Sequence, residues 1–323
     1  MLYEKIKVGS RELKNRLVMP PMATDLPKNN LVSDELLVHY GERARYAGPG
    51  LIIVEHSYIA GHGRAAEWQL SVASDETIVG HRRLSETIHA GGSLAMLQLN
   101  HAGSAAKPAD GSRPVSASDL ANPRLSAAQP PRAMSRDEIA AAGELFLRAA
   151  LRACEAGYDG VELHSAHGYL FNQFYSPLTN KRCDEYGGML ENRCRFLLET
   201  AARVREAIGP EKLLAVRLGG ADYMPGGATE EDAVGACRLL EQAGVDLLDI
   251  SGGMCGFVLK DRSAPGYFAS MTEKIKAAVS VPVLLTGGVT RPEEAEALLT
   301  AGKADLIGVG RALYRDAHWG TET

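Results

Sequence analysis

The chain has 323 residues, 45% of them hydrophobic, and sets 35 Lys and Arg against 40 Asp and Glu for a formal net charge of -5. That length supplies a large core and suits a barrel of about 250 residues, while the acidic balance and the lack of any Lys/Arg block exclude a nucleic-acid surface. No apolar run is long enough to cross a membrane, and Met1-Leu2-Tyr3-Glu4-Lys5 lacks the apolar stretch of a signal peptide.

In chain order, short β-rich apolar runs alternate with longer amphipathic segments. The expected strands are 17–22, 51–55, 94–99, 160–163, 214–218, 247–250, 283–286 and 306–309. The expected helices are 34–47, 76–90, 136–156, 190–208, 230–243, 271–278 and 292–300. Ser135-x-x-Glu138, Thr229-x-x-Asp232 and Thr290-x-x-Glu293 read as capping residues with an acid three places on. Gly157, Gly209, Gly244 and Gly302 stand where left-handed caps would follow helices. Regular βα alternation implies a parallel sheet with helices outside. Eight repeats predict an α/β fold, a (β/α)8 TIM barrel forming one domain over 1–323, with a doubly wound open sheet as the alternative. The connection 101–134 is rich in Ala, Ser, Pro and Asn and follows the third strand. It reads as a lid or substrate wall over the catalytic face, or as an insertion without a role.

In a barrel, residues at the C-terminal ends of strands face a common centre. Here those ends carry Pro20-Pro21-Met22-Ala23-Thr24, Glu55-His56, Gln98-Leu99-Asn100-His101, the set His164/His167/Tyr169, Arg217, Asp249-Ile250-Ser251, Thr286-Gly287-Gly288 and Gly308-Val309-Gly310-Arg311. The two late glycine pairs offer bare backbone N–H groups and one guanidinium to a phosphate; the alternative is tight turns that need positive φ. Arg217 needs an anionic partner, either a ligand whose charge grows during reaction or an internal Asp249 or Glu162. Gln98 joins a donor and an acceptor in one plane, which suits a heteroaromatic edge. His164 and His167 admit three readings: metal ligands, a structural pair, or a carbonyl-binding pair with Tyr169 as acid. Helical zinc motifs use i, i+4 spacing with a nearby carboxylate, which 164 and 167 lack, so no metal is expected.

Taken together these motifs resemble the Old Yellow Enzyme family of FMN-dependent NAD(P)H oxidoreductases, which includes ene-reductases and the 2,4-dienoyl-CoA reductases. The resemblance lies in Asn15-Arg16-Leu17-Val18-Met19-Pro20-Pro21-Met22, in Gln98-Leu99-Asn100-His101-Ala102-Gly103, in 164–169 with Gln173-Phe174-Tyr175-Ser176-Pro177 and Asn192-Arg193, in Val216-Arg217-Leu218 and in Gly308-Val309-Gly310-Arg311. These run in family order over nearly the whole chain. The resemblance implies a (β/α)8 barrel with FMN across its mouth. Backbone near Pro21, Met22 and Ala23 would flank the ring, Gln98 and Arg217 would meet its pyrimidine edge, and Gly287, Gly288, Gly310 and Arg311 would hold the phosphate. It also implies that His164 and His167 hold a substrate carbonyl oxygen, that hydride from NADH or NADPH reaches the β carbon through flavin N5, and that Tyr169 protonates the α carbon.

Departures from the family matter too. Ala23 stands where relatives often have Thr or Cys, with Thr24 next. No four-cysteine cluster follows the barrel, so no iron–sulfur centre is expected, and Ser251-Gly252-Gly253-Met254-Cys255 replaces a catalytic histidine region of the dienoyl-CoA reductases. No G-x-G-x-x-G follows a strand, so the nicotinamide is expected to share the substrate's face in ping-pong order. The expected partner is a small unsaturated carbonyl compound. The alternatives are an NAD(P)H oxidase or flavin reductase, an oxidative dehydrogenase, or a non-flavin phosphate-binding barrel, which would lack an evident Schiff-base lysine. Cys154, Cys183, Cys194, Cys237 and Cys255 form no C-x-x-C pair. They read as free thiols in a reducing cytosol, so a cytoplasmic location is expected. A barrel exterior allows a homo-oligomer, without an interface signal in the sequence.

Overall fold

A computed structural model describes residues 1–125, 130–259 and 264–321. The chain opens with an element outside the expected set, an antiparallel hairpin of β1 (Ile6–Val8) and β2 (Arg11–Leu13). Strands of three residues carry too little alternation to register as a pattern. Then come β3 (Leu17–Met19), α1 (Asp34–Arg45), β4 (Leu51–Tyr58), α2 (Ile78–Ala90) and β5 (Leu94–Asn100). The long connection holds two further short strands, β6 (Val115–Ser116) and β7 (Arg132–Ala133), paired in parallel; its residues 126–129 lie outside the described ones. The chain continues through α3 (Arg136–Glu155), β8 (Gly160–Ser165), α4 (Leu170–Tyr175), α5 (Leu190–Ile208), β9 (Leu213–Ala221), α6 (Glu230–Gln242) and β10 (Leu247–Gly252). It ends with α7 (Ala269–Lys276), β11 (Val283–Thr286), α8 (Pro292–Thr300), β12 (Leu306–Gly308) and α9 (Arg311–Arg315).

The eight expected strands are the barrel. β3, β4, β5, β8, β9, β10, β11 and β12 pair in parallel in that order, and β12 closes on β3. That last pairing removes the open-sheet alternative. Capping boxes form at Ser135/Glu138 and Thr229/Asp232. The third shifts by one residue. Pro292 takes the first helical position, so Glu294 rather than Glu293 accepts from the N–H groups of Thr290 and Arg291. No helix among the described residues is long and apolar enough to cross a membrane, and all five cysteines are free.

Strand alternation sorts the interior into layers. The lowest is apolar: Val18, Leu51, Ile53, Met96, Ala215, Leu247, Leu284 and Leu306 form one buried cluster, stoppered by Val8 and Leu13 of the hairpin. Each stoppering side chain contributes about 1.5–3 kcal/mol by leaving water. Two residues farther along β5, β9, β10 and β11, the inward face turns polar. Gln98 follows Met96, Arg217 follows Ala215, Asp249 follows Leu247 and Thr286 follows Leu284. Another step of two reaches Asn100, Ser251 and, on β8, His164 beyond Glu162. The floor is thus greasy, the middle charged and the mouth lined with hydrogen-bonding groups.

Candidate active site

The turn after β8 builds the mouth. His164 is buried near the strand's end, and the chain then reverses through His167 at φ +59 and Gly168 at φ +75. Two consecutive left-handed residues are sparsely populated unless surroundings hold them. Here they do. The His167 N–H donates to Gly252 O (3.2 Å), the Gly168 N–H donates to Asn172 Oδ1 (2.8 Å), and Asn122 Nδ2 donates to Gly168 O (2.9 Å). The Arg124 guanidinium donates to the carbonyl of His167. Tyr169 then caps α4. The turn brings three rings together: His164 lies 5.1 Å from both His167 and Tyr169, edge to face in each case. A fourth ring joins them, for His56 of β4 stacks on Tyr169 at 5.7 Å and lies 6.3 Å from His164.

Burial and the nearby Arg217 and Arg124 cations keep these imidazoles neutral. His164 and His167 are held well below the ordinary histidine value, by burial first, and burial lowers His56 to about 4. Burial raises the Tyr169 phenol, with Arg124 drawing it back. His164 Nδ1 is buried without a hydrogen-bond partner among the described residues, and His167 Nε2 lies 2.8 Å from Ser251 Oγ. No group of three or more His, Cys, Asp or Glu suited to a metal ion occurs among the described residues.

Below the rings, Gln98 Nε2 donates to Glu162 Oε1 at 2.8 Å. Arg217 Nε lies 3.2 Å from Asp249 Oδ2, a charge contact without hydrogen-bond alignment, so both atoms remain without hydrogen-bond partners among the described residues. The guanidinium's hydrogen bond, from Nη1 to Pro21 O, is long at 3.5 Å. Asp249 also accepts from Thr286 Oγ1 at 3.3 Å. Burial pushes Asp249 up to about 6 against the pull of Arg217. Glu162 is raised well above the carboxylate range by burial and by Asp249. The internal ion pair considered for Arg217 therefore exists, with Asp249, and still leaves the cation under-satisfied.

At the end of β3, Pro21 is buried, Met22 half-buried and Ala23 exposed. Thr24 turns away from the mouth and donates to Glu55 Oε2 at 2.6 Å. Glu55 also receives the Tyr40 hydroxyl at 3.4 Å and is pushed up to about 7 by burial. At the far side Gly287 and Gly288 sit under the ring of Tyr267. A Cβ on either would come within 2.9 Å of it, and Gly288 has φ +73. A Cβ on Gly310 would lie 3.0 Å from Met22 Sδ. The tight-turn reading of Gly288 thus holds, and Tyr267 shares the seat with Arg311, whose charge acts on its phenol. His56 and Ser251 stood among the strand ends without a role, and Asp249 only as an alternative partner for Arg217. Glu162 entered only as an alternative partner for Arg217, while Arg124 and Tyr267 went unnoticed because they lie in aperiodic loops.

The sequence matches the model of the NADH:flavin oxidoreductase / NADH oxidase family over residues 1–322. An NADH oxidase of Thermoanaerobacter brockii is 37% identical over 326 residues, covering 98% of this chain and 50% of its own length. An NADPH dehydrogenase of Bacillus subtilis (strain 168) is 39% identical over 319 residues, covering 98% and 91%. Among solved structures, a complex of 2-naphthoyl-CoA reductase with 2-naphthoyl-CoA matches with a TM-score of 0.92 at 27% identity, over 98% of this chain and 51% of that one. The chain therefore spans about half the length of the first of these relatives and nine-tenths of the second. It belongs to the NADH:flavin oxidoreductase / NADH oxidase family, the Old Yellow Enzyme family of FMN-dependent NAD(P)H oxidoreductases.

Proposed function

We propose that this barrel is an ene-reductase, reducing the C=C bond of α,β-unsaturated carbonyl compounds with NADH or NADPH as the hydride donor. One observation carries the reading: two neutral imidazoles and a protonated phenol converge within 5.1 Å at the barrel mouth. The residues present fit FMN. Arg217 is a buried cation with an unpartnered Nε, and Gln98, its amide nitrogen held by Glu162, has its carbonyl oxygen left to accept. Together they suit a pyrimidine edge. Gly287, Gly288, Gly310 and Arg311 suit a phosphate, and Pro21, Met22 and Ala23 suit the side of the ring. Bound there, FMN would supply the hydride relay from NAD(P)H to the substrate's β carbon.

The chain's own residues do the rest. His164 and His167, being neutral, hold the substrate's carbonyl oxygen by N–H donation and so polarise the double bond. The Ser251 hydroxyl at His167 Nε2 orients that ring and leaves Nδ1 as its donor. Tyr169 keeps its proton at neutral pH and delivers it to the α carbon. Arg217 favours negative charge at its end of the site. The described part of the long connection lines one side of the site, anchored to the catalytic turn through Asn122 and Arg124.

The name of the structural neighbour 2-naphthoyl-CoA reductase points the same way. The name NADH oxidase on one relative favours a second reading, electron transfer to oxygen. Anaerobic protein bleached with NAD(P)H and then mixed with 2-cyclohexenone separates them. Return of the yellow colour supports ene reduction; oxygen consumption without turnover of any activated alkene overturns it.

A further inference from the structure

Arg124 stands at the rim of this site, and the built shape around it exceeds what anchoring a loop requires. Asn122 Oδ1 accepts from the Arg124 backbone N–H at 3.0 Å, fixing the start of the side chain. The side chain then reaches two other loops. A Cβ on Gly168 would come 3.0 Å from its Cδ, and a Cβ on Gly256 would come 2.9 Å from its Nη2. Both glycines have positive φ, +75 and +83. The turns after β8 and β10 thus leave a slot that a side chain on either face would close.

Among the described residues, the cation in the slot has no counter-ion. Arg182 and Arg193 pair with Asp184 and Asp232. Arg124 has no carboxylate in ion-pair reach among the described residues, and its hydrogen bond is to a neutral carbonyl. It is exposed, yet close enough to His164, His167 and Tyr169 to act on the charge of all three. Beside it, Phe257 is 56% exposed and meets the His167 ring edge-on at 5.8 Å, and Val258 next to it is also exposed. A bare aromatic ring touching a catalytic imidazole offers apolar cover to whatever that imidazole holds.

We propose that Arg124 and Phe257 form a recognition subsite for unsaturated carbonyl substrates that carry a carboxylate or phosphate beyond the apolar part next to the reacting double bond. Phe257 covers the apolar part, and the guanidinium takes the anion in the forked geometry it offers to carboxylates and phosphates. The proposal rests on the ene-reductase reading and names its substrate class. A phosphate of the nicotinamide coenzyme is the other source of such an anion, and the test separates the two.

The test compares 4-phenylbut-3-en-2-one with the same enone bearing a para-carboxylate, using flavin-loaded wild type, Arg124→Met, Arg124→Lys and Phe257→Ala. The readout is the ratio of kcat/KM for the charged over the neutral enone, which cancels losses common to both. Arg124→Met lowers the ratio about tenfold or more, chiefly through KM, as loss of a charge-assisted pair does. Arg124→Lys retains most of it, Phe257→Ala weakens both enones together, and added salt lowers the wild-type ratio. An unchanged ratio in Arg124→Met overturns the proposal and leaves Arg124 as a latch for the His167 turn. Weakened NADPH binding with an unchanged enone ratio also overturns it, assigning the cation to the coenzyme. If wild type reduces neither enone, the ene-reductase reading fails. The subsite is then judged by the affinity of the saturated para-carboxylate ketone, followed by flavin absorbance in wild type and Arg124→Met. Equal affinities overturn it, and a tenfold loss in the variant supports it.

Discussion

Tyr169→Phe removes one oxygen and keeps a ring. Among the described residues nothing hydrogen-bonds that oxygen, so no partner is orphaned, and the contacts with His56 at 5.7 Å and His164 at 5.1 Å survive. Stability should change by less than about 1 kcal/mol. The rate effect is far larger, because a positioned acid is worth about 10²–10⁴-fold, or roughly 2.7–5.5 kcal/mol of barrier. Burial holds the phenol above its ordinary value, so it carries its proton at neutral pH and has it to give. Stopped-flow mixing separates the two halves of the cycle. Bleaching by NAD(P)H should stay within about threefold of wild type, while return of colour with an enone slows by about a hundredfold or more. In wild type the second step falls only as pH climbs toward the raised phenol value; the variant lacks that fall. Equal loss in both halves, or none in the second, would refute proton donation and make Tyr169 a shaping residue.

Glu55→Gln keeps an acceptor for Thr24 and Tyr40 and removes a carboxyl pushed up to about 7. A folded value raised above the unfolded one makes stability greatest below the unfolded value, near pH 4, and lost as pH rises through about 7. The loss is about 3 kcal/mol at about 1.36 kcal/mol per pH unit. Urea denaturation across that window should therefore show a decline in wild type that the variant lacks, and parallel curves would count against it. Arg217→Met leaves Asp249 buried without its cation. The carboxyl moves further up, so the variant should lose about 3–5 kcal/mol at pH 8, less at pH 5, and purify with little FMN; equal denaturation midpoints with wild type at pH 8 would contradict this. Leu13→Ala unstops the barrel floor and should cost about 2–5 kcal/mol without altering the mouth, read as a lower Tm beside an unchanged KM.

The strands were legible because each is a short apolar run between turn signals, and the helices because of their amphipathic period; the observed bounds of the strand Val283–Thr286 and of the helix Leu190–Ile208 match the expected ones. Which way a strand-end residue points was less so. Simple alternation from Leu51 and Ile53 aims Glu55 into the barrel. The ladder with β5 instead slips between Val54 and Ser57, so that two residues, Glu55 and His56, face one, Gln98. That bulge reverses the faces. Glu55 goes outward to Tyr40 and Thr24, and His56 comes inward against Tyr169. A bulge is set by pairing with a neighbour some forty residues away, so no local period announces it.

The two readings of Arg217 show the same limit from the other side. Register places it directly across from His164 on one strand and Asp249 on the other. Glu162, which alternation puts on the same inward face of β8, is engaged by Gln98 instead, and burial and Asp249 raise it well above the carboxylate range. One carboxylate therefore faces one guanidinium whose alignment with it is imperfect. An internal ion pair and a ligand-binding cation are consequently not rivals at this position. The first keeps the charge tolerable in the barrel, and its poor hydrogen-bond geometry is what leaves donor capacity for the second.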